Sequence, residues 1–416
     1  MSALSQCRVC GSTKVEQFFD LGDQPLANAL VRDANVADPV YPLSLSFCED
    51  CALVQLDHTA DPGELFSHYV WVTSTSSTAR AYAEQFCDRL LSRLGDMKGG
   101  YVLEIASNDG TFLKPFLKRG VACLGVDPAA NIVEMAKADG VPTQCGFFGE
   151  ELAKGVVAER GAARAVFARN VLPHVAGTND FVEGLKVAAG VDGLVVIEFH
   201  YAKTILEELH YDSIYHEHLC YFTLKSLTHL LNAHGIHPFD LEESPISGGS
   251  LVLFSRTVPT EKSMKLLAFE AAEETSGAND LAAWKRFAEV SFQHRGALLG
   301  LLEAEAAAGR KVAGYGASAR SSTMLNFCGV GPRLIQAIAD QNPMKHDLYS
   351  PSTHIPIQAP EAVMAAKPDT VVILAWNFFA EIVGILRDRF GFTGRVIMPL
   401  PHPPRTMSME EATRVE

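Results

Sequence analysis

The sequence lacks a long apolar run, an export signal and an excess of positive charge. No stretch approaches the roughly 20 consecutive apolar residues of a membrane-spanning helix, and the first residues, MSALSQCRVCGSTKVE, contain no apolar core of a secretory signal. The net charge of −14 argues against nucleic acid, because its phosphates are bound by basic surfaces. We therefore expect a cytoplasmic protein that binds neither membrane nor nucleic acid.

The cysteines do not indicate a disulfide framework, since nine of them in 416 residues are an odd number in a chain expected to stay reduced. Four of them form two CxxC pairs, Cys7 with Cys10 and Cys48 with Cys51. Two such turns can direct four thiolates at one ion, and four protein ligands are typical of structural zinc. We prefer zinc to four buried thiols, and to a redox CxxC because no thioredoxin-like context accompanies the motif.

Alternating patterns after the first sixty-odd residues predict an α/β fold. Strands are expected at 101–105, 122–126, 165–168 and 194–199, with helices between them. This alternation indicates parallel strands in a doubly wound sheet. Long helices are expected between 261 and 308, and a second α/β series then begins at Val312.

The turn after the first of these strands lacks the G-x-G-x-x-G pattern of dinucleotide-binding folds. It carries an acid and small or polar residues instead: Glu104, Ala106, Asn108 and Gly110. S-adenosylmethionine has no phosphates but carries a charged amino-acid part, which backbone groups, small residues and an acid can bind. We therefore favour S-adenosylmethionine over a nicotinamide cofactor.

Two later strand ends offer residues to the same ligand. Asp127, followed by Pro128, ends the next strand and is suitably placed to hydrogen-bond ribose hydroxyls. Asn170 follows the strand after that and would lie along the ligand. His174, a few residues further on, is either a candidate base or a structural histidine.

A run of Tyr215, His216, Glu217 and His218 lies between the last of these strands and a helix expected at 224–233. Loops that leave the carboxyl ends of parallel strands carry the chemistry of such folds. Histidine takes a proton near neutral pH, and a neighbouring carboxylate stabilises its charged form. We interpret the run as catalytic; a capping cluster or a second metal site are the alternatives, although the H-x-x-x-H spacing is missing.

A glycine turn near the C-terminus follows a strand and opens a helix, so its backbone N–H groups could hold a pyrophosphate. It comprises Gly314, Gly316, Ala317 and Ser318, with Arg320 and then Asp340 as further candidates for the same crevice.

Taken together, the motifs resemble those of sugar C-methyltransferases that act on nucleotide-linked 4-keto deoxy sugars, as in antibiotic-sugar pathways. The resemblance covers nearly the whole length. It rests on the two CxxC pairs and on segments 104–110, 213–222 and 314–320. It implies a zinc-binding module at 1–75, a Rossmann-like class I methyltransferase domain at 76–260, and a helical connector with a Rossmann-like nucleotide-sugar domain at 261–416.

The resemblance also implies a reaction, methylation of C-3 on a sugar for which dTDP is the expected nucleotide. The C-4 ketone acidifies the C-3 proton, a base removes it, and the enolate attacks the methyl carbon in line. The resemblance assigns the base to His218, with Glu217 beside it and Tyr215 near the substrate; His174 is the alternative base. Tyr69 of the N-terminal module would hydrogen-bond the oxygen that becomes negative.

The sequence is also compatible with two other functional hypotheses. An oxygen- or nitrogen-directed methyltransferase would need no acidic C–H bond in its substrate. A zinc-stabilised scaffold would bind nucleotides without catalysis. The sequence leaves the oligomeric state open, a monomer included.

Overall fold

A computed structural model describes residues 2–61, 63, 65, 72–97, 99–246 and 248–415. The chain forms two compact units. The first unit comprises Met1–Glu16, Ser46–Lys203 and Leu219–Leu281, and the second comprises Gln17–Leu45, Thr204–His218 and Ala282–Glu416. The three-part division expected from the sequence stays a prediction. Among the described residues, no helix combines the length and the apolar character that crossing a membrane requires.

The described chain contains twenty β-strands. They are β1 (Ser2–Ala3), β2 (Val15–Pro25), β3 (Val40–Cys48), β4 (Val54–Leu56), β5 (His58–Thr59), β6 (Tyr101–Ile105), β7 (Ala122–Asp127), β8 (Thr143–Cys145), β9 (Ala165–Arg169), β10 (Leu194–His200), β11 (Cys220–Tyr221), β12 (His237–Glu243), β13 (Ser250–Arg256), β14 (Val312–Tyr315), β15 (Ala337–Ala339), β16 (Leu348–Tyr349), β17 (Pro356–Gln358), β18 (Thr370–Ile373), β19 (Arg395–Met398) and β20 (Arg405–Ser408).

The described α-helices span Ser77–Leu94, Lys114–Lys118, Ala130–Ala138, Glu150–Arg160, Thr178–Ala189, Ala202–Glu207, Leu224–Ala233, Met264–Ser276, Leu281–Ala307, Ala319–Cys328, Pro360–Ala365, Phe379–Asp388 and Met409–Ala412. Several begin where the sequence offers a capping side chain. Thr223 and Ser226 form a reciprocal capping box, and Ser318 and Ser321 form another. Each box satisfies backbone N–H groups that the first helical turn leaves without partners.

The first unit contains a seven-stranded sheet in the order β12-β13-β10-β9-β6-β7-β8. Strands β8, β7, β6, β9 and β10 run parallel, whereas β13 pairs antiparallel with both β10 and β12. All five residues of β6 are buried, as expected for a parallel strand with both faces covered. Chain order reverses at β6, and such a switch point opens a crevice at the carboxyl ends of the strands.

The second unit contains another seven-stranded sheet, in the order β16-β17-β15-β14-β18-β19-β20. Strands β17, β15, β14, β18 and β19 are parallel, and β16 and β20 add antiparallel edges. Its switch point is β14, which the glycine turn follows. The α/β fold class with two Rossmann-like sheets is thus confirmed. The second strand of this series, β15, has only three residues.

The N-terminal segment is richer in strands than its broken apolar runs indicate. A four-stranded sheet has the order β11-β4-β3-β2, and β1 pairs with β5. Strand β3 ends at Cys48, so the second CxxC pair opens the turn that leads to β4.

Candidate functional site

The two CxxC pairs converge in the first unit. Their four Sγ atoms all lie within 4.8 Å of one another; Cys7 Sγ is 3.5 Å from Cys51 Sγ, and Cys10 Sγ is 3.6 Å from Cys48 Sγ. Zinc–sulfur bonds of about 2.3 Å in a tetrahedron separate the sulfurs by roughly 3.8 Å. The donors and their spacing therefore fit one zinc ion with no open position. Hydrogen bonding to Cys51 lowers the pKa of the Cys7 thiol below its usual value.

Arg8, between the first two cysteines, connects this thiolate cluster to its surroundings. Its guanidinium donates to the carbonyls of Leu56 (3.2 Å) and His58 (3.3 Å). Its own carbonyl accepts from Thr178 Oγ1 at 2.9 Å and Asn179 Nδ2 at 3.1 Å. The cluster is thereby attached to β4 and to the start of the helix Thr178–Ala189, all within the first unit.

The turn after β6 is tight. Ala106, Asn108 and Gly110 have φ angles of 52°, 50° and 73°, in the left-handed region that small residues and asparagine tolerate best. A Cβ atom at Gly110 would lie 2.7 Å from both Cγ atoms of Val141, so no side chain fits there. Packing against Val141 therefore requires glycine at position 110, and the ligand-binding role of the turn stays a prediction.

Asp127 connects that turn to the end of β7. Its Oδ2 accepts from the Asn108 amide and its Oδ1 from the Ala129 amide, both at 2.9 Å. Burial raises the pKa of Asp127, and the two backbone hydrogen bonds oppose the shift. Each carboxylate oxygen can accept a further bond, so the group can hold the turn and a ribose hydroxyl together. Pro128 follows and leads into the helix Ala130–Ala138.

Glu104 is a buried acid with an incompletely satisfied carboxyl group. The residue is 3% exposed, and Oε2 accepts no hydrogen bond from the described residues. Burial raises its pKa well above the usual value; Arg169 opposes the shift, and Asp109 and Asp127 reinforce it. A buried acceptor without a donor is costly. A cationic group such as the ammonium of S-adenosylmethionine would satisfy it.

Asn170, the third strand-end candidate, has a φ of 53°. Its backbone N–H donates to the backbone carbonyl of Glu198 at 2.7 Å. Glu198 also accepts from Arg169 Nε at 2.7 Å, and the Arg169 guanidinium carbon lies 3.2 Å from the centroid of the Phe112 ring. A buried ion pair thus supports the loop that carries Asn170.

His174 ends the 3₁₀ turn Leu172–His174 in the first unit. The carbonyl of Pro173, just before it, accepts from the Leu219 amide at 2.7 Å. Leu219 in turn offers its carbonyl to Leu56 of β4 at 3.0 Å. His174 is therefore next to a backbone connection that reaches the zinc-binding segment.

The Tyr-His-Glu-His run lies in the second unit and brings two of its side chains together. Tyr215 Oη is 2.8 Å from His218 Nε2, and His218 Nδ1 is 2.7 Å from the Ser213 carbonyl. Because a carbonyl only accepts, Nδ1 carries the proton in the neutral ring. Nε2 is then the basic nitrogen, and the Tyr215 hydroxyl donates to it. The Ser213 carbonyl therefore fixes the tautomer and leaves Nε2 as the nitrogen that can take up a proton.

The two remaining members of the run bind the segment 17–45 of the same unit. Glu217 Oε1 accepts from Asn28 Nδ2 at 2.6 Å, and burial raises the pKa of Glu217. His216 Nε2 is 3.3 Å from the Pro42 carbonyl. Tyr69, expected to join these groups, lies outside the described residues.

The glycine turn of the second unit uses its amides internally. Gly316 N–H donates to the Ala339 carbonyl, Ala317 N–H to Asp340 Oδ2 and Ser318 N–H to Ser321 Oγ, each at 2.8 Å. These three amides are thus already engaged, which leaves a pyrophosphate fewer free donors than the sequence indicates. Asp340 holds the turn.

Arg320 forms an ion pair, and Gly314 packs closely against a neighbouring side chain; the sequence revealed neither contact. Arg320 donates Nε and Nη2 to the two carboxylate oxygens of Asp212, at 3.0 and 2.8 Å. Gly314 lies inside β14, where a Cβ atom would be 2.6 Å from Leu374 Cδ1. Close packing against Leu374, which follows β18, therefore explains why this position is a glycine.

Comparison with known proteins identifies the family. Family models match residues 7–66 ("Putative zinc binding domain"), 79–238 ("Methyltransferase domain") and 245–401 ("C-methyltransferase C-terminal domain"). The chain is 31% identical over 411 residues to the C-methyltransferase NovU of Streptomyces niveus, covering 98% of each chain. The chain belongs to the family of S-adenosylmethionine-dependent C-methyltransferases.

Two solved structures resemble this C-methyltransferase over less than half of its length. A SAM-dependent methyltransferase from Anabaena variabilis is 15% identical, with 45% of this chain and 87% of that chain covered and a TM-score of 0.35. One from Archaeoglobus fulgidus is 14% identical, with 42% and 94% covered and a TM-score of 0.34.

Sequence reasoning missed the ion-pair partners around these sites. Glu198 is the only acid in the strand sequence Leu-Val-Val-Ile-Glu-Phe-His, and a lone acid in an apolar run signals a buried charge that needs a cation. That signal identifies Glu198 but not its partner Arg169. Nothing local marks Asp212, since its partner Arg320 is 108 residues away.

Proposed function

We propose that this C-methyltransferase methylates C-3 of a nucleotide-linked 4-keto deoxy sugar through an enolate, in deoxysugar biosynthesis. The observation that carries the proposal is the hydrogen-bonded series from the Ser213 carbonyl through His218 to the Tyr215 hydroxyl. A carbon acid needs a base before its carbon can act as a nucleophile, and this series provides a histidine with a defined basic nitrogen. dTDP is the expected nucleotide.

In the proposed reaction, His218 Nε2 takes the C-3 proton, and the Ser213 carbonyl stabilises the resulting imidazolium through Nδ1–H. The Tyr215 hydroxyl must first turn from Nε2 to the C-4 oxygen, where negative charge develops, because the single Nε2 lone pair cannot accept the C-3 proton while it accepts from this hydroxyl. Buried Glu217 is the adjacent carboxyl group. Tyr69 and His174 keep their predicted roles as a further phenol and as the alternative base.

We assign the cofactor to the crevice of the first unit. Bound S-adenosylmethionine supplies the electrophilic methyl carbon. Glu104 would accept from its ammonium, Asp127 from its ribose, and the turn through Ala106, Asn108 and Gly110 would approach its amino-acid part. Pro128 and Asn170 would border the same ligand.

Zinc has a structural role in this proposal. Cys7, Cys10, Cys48 and Cys51 would hold it in a module at 1–75, ahead of a methyltransferase domain at 76–260. The nucleotide would bind in the C-terminal domain at 261–416, near the turn Gly314–Ser318 and Asp340. Because three amides of that turn are engaged, we expect side chains to contribute more to nucleotide binding than the backbone does.

Deuterium wash-in tests the reaction without methyl transfer. The enzyme is incubated in D₂O with S-adenosylhomocysteine and a dTDP-linked 4-keto deoxy sugar, and exchange at C-3 is followed by mass spectrometry. We expect exchange well above the buffer rate for wild type. His218→Asn should reduce exchange and methyl transfer by roughly 10²- to 10⁴-fold, the usual contribution of a general base.

His234→Asn is the matched control, since His234 bonds Glu183 and Asn179, neither of which has a role in the proposed reaction; it should exchange like wild type. If His174→Asn abolishes exchange while His218→Asn retains it, the base is His174. If wild type exchanges no 4-keto sugar nucleotide tested, carbon methylation of this substrate class is wrong. Methylation of oxygen or nitrogen without exchange, or ligand binding without turnover, would then identify the rival functions.

A further inference from the structure

The turn Tyr211–Ser213, just before the proposed catalytic run, is held by a buried carboxylate. Asp212 is fully buried and accepts three hydrogen bonds, two from Arg320 and one from Trp376 Nε1 at 2.7 Å. Burial alone would raise its pKa, but the charge and hydrogen bonds of Arg320 outweigh this and lower it. The group is therefore a carboxylate with defined partners.

Arg320 is committed to this carboxylate. Two of its nitrogens form a bidentate pair with Asp212, and its guanidinium carbon lies 4.8 Å from the centroid of the Trp376 ring. The side chain is 16% exposed. A guanidinium that makes two hydrogen bonds to one carboxylate and stacks on an aromatic ring has a fixed orientation. A phosphate-binding role would require sharing that guanidinium.

Two further bonds attach the same segment to its surroundings. Thr323 Oγ1, on the helix that begins after the glycine turn, donates to the Ile214 carbonyl at 3.0 Å. Tyr211 Oη is 2.9 Å from Nδ1 of buried His294. Residues 211–214 are thus anchored at three successive points within the second unit.

The anchored segment reaches the base through one residue. Ser213 follows Asp212 directly, and its carbonyl is the partner of His218 Nδ1. The position of that carbonyl determines which ring nitrogen carries the proton and where Nε2 points. A change of about 1 Å in such a geometry can cost two orders of magnitude in rate.

We propose that Asp212 is a positioning residue for His218, and that Arg320 serves this ion pair instead of binding phosphate. The inference rests on the proposed function, since it concerns the base of that reaction. The helix Ala319–Cys328 then holds the catalytic segment at Arg320 and Thr323, and substrate bound near the glycine turn would contact the element that orients the base.

The experiment separates kcat from KM for Asp212→Asn, which keeps the shape of the side chain and removes its charge. We expect kcat and C-3 exchange to fall roughly 10- to 100-fold, with KM for the sugar nucleotide changed less than about threefold. Arg320→Lys keeps a positive charge but loses the fork, so its kcat should fall while KM stays near wild type. If Arg320 bound the substrate phosphate instead, Arg320→Lys would raise KM and leave kcat near wild type.

Two more variants guard against misfolding. Trp376→Phe removes one of the three donors and keeps an aromatic ring, so a smaller fall in kcat is expected. Asp212→Asn/Arg320→Gln removes both charges together, which avoids an unpaired buried charge; it should fold and still have a low kcat. Arg395→Gln, which weakens the pair with Glu305 elsewhere in the second unit, is the control and should keep wild-type kcat.

The outcomes separate the two proposals. No exchange by wild type refutes the proposed function. If wild type exchanges and Asp212→Asn keeps the wild-type kcat, Asp212 does not position His218. If Asp212→Asn does not fold, an unchanged kcat in both Trp376→Phe and the double variant overturns the positioning role in the same way. A rise in KM at constant kcat in Arg320→Lys also overturns it, because phosphate binding would then explain that residue.

Discussion

Removing the cation of the buried pair Arg169–Glu198 should destabilise the first unit far more than removing a surface cation of the same sheet. The side chains of Arg169 and Glu198 are 9% and 0% exposed. Glu198 also accepts from Ser244 Oγ at 2.7 Å. Arg169→Met keeps an unbranched chain over the Phe112 ring but leaves a carboxylate buried without its cation.

The expected cost follows from burial. Leaving one partner of a buried pair uncompensated costs about 3–5 kcal/mol, whereas an exposed pair contributes about 0–1 kcal/mol. The matched control is Arg256→Met, because Arg256 pairs with Asp192 at 3.0 Å with side-chain exposures of 28% and 65%. We therefore expect the two variants to differ by roughly 2–5 kcal/mol.

Hydrogen exchange followed by mass spectrometry measures the local cost, because peptides from β9 and β10 report opening of this part of the sheet. Calorimetry with S-adenosylmethionine is the second readout, since Asn170 bonds the Glu198 carbonyl; Arg169→Met should weaken binding and Arg256→Met should not. Arg169→Met/Glu198→Gln should recover most of the lost stability, because no unpaired charge remains.

Equal losses of stability in Arg169→Met and Arg256→Met would show that burial of the ion pair does not set its contribution. A double variant that loses as much stability as Arg169→Met and Glu198→Gln added together would show that the two residues do not act as a pair.

Two other predictions concern the same unit. Because the pKa of Glu104 is raised by burial, the unfolded chain loses this proton first as pH rises, and stability falls between the usual carboxyl pKa and the folded one. Glu104→Gln should therefore raise the melting temperature of the ligand-free protein more at about pH 8 than at about pH 5, while weakening S-adenosylmethionine; an equal gain at both pH values contradicts the buried acid. Cys51→Ser should lower zinc content from about one per chain and speed hydrogen exchange in β4, whereas exposed Cys145→Ser should not. Unchanged zinc content in Cys51→Ser by elemental analysis would show that the four cysteines are not the zinc site.

The sequence by itself determined the features that depend on local order. Alternating apolar patterns fix strands and helices, and two CxxC turns bring thiols together in pairs. Tyr215 and His218 are three residues apart in one turn, so their contact is also close to local. These features follow from backbone geometry and short-range sterics, and for that reason a single sequence reveals them.

Only the tertiary structure decided which charged or polar groups pair across the chain. Glu217 bonds Asn28, 189 residues away, and Arg320 bonds Asp212 instead of standing free at its helix start. With 49 acidic and 35 basic residues, no pattern selects one pair. The selection comes from burial, because a carboxylate inside the fold requires the cation that packing brings within reach. The glycine turn follows the same logic: its sequence predicts free amides, and packing gives three of them acceptors.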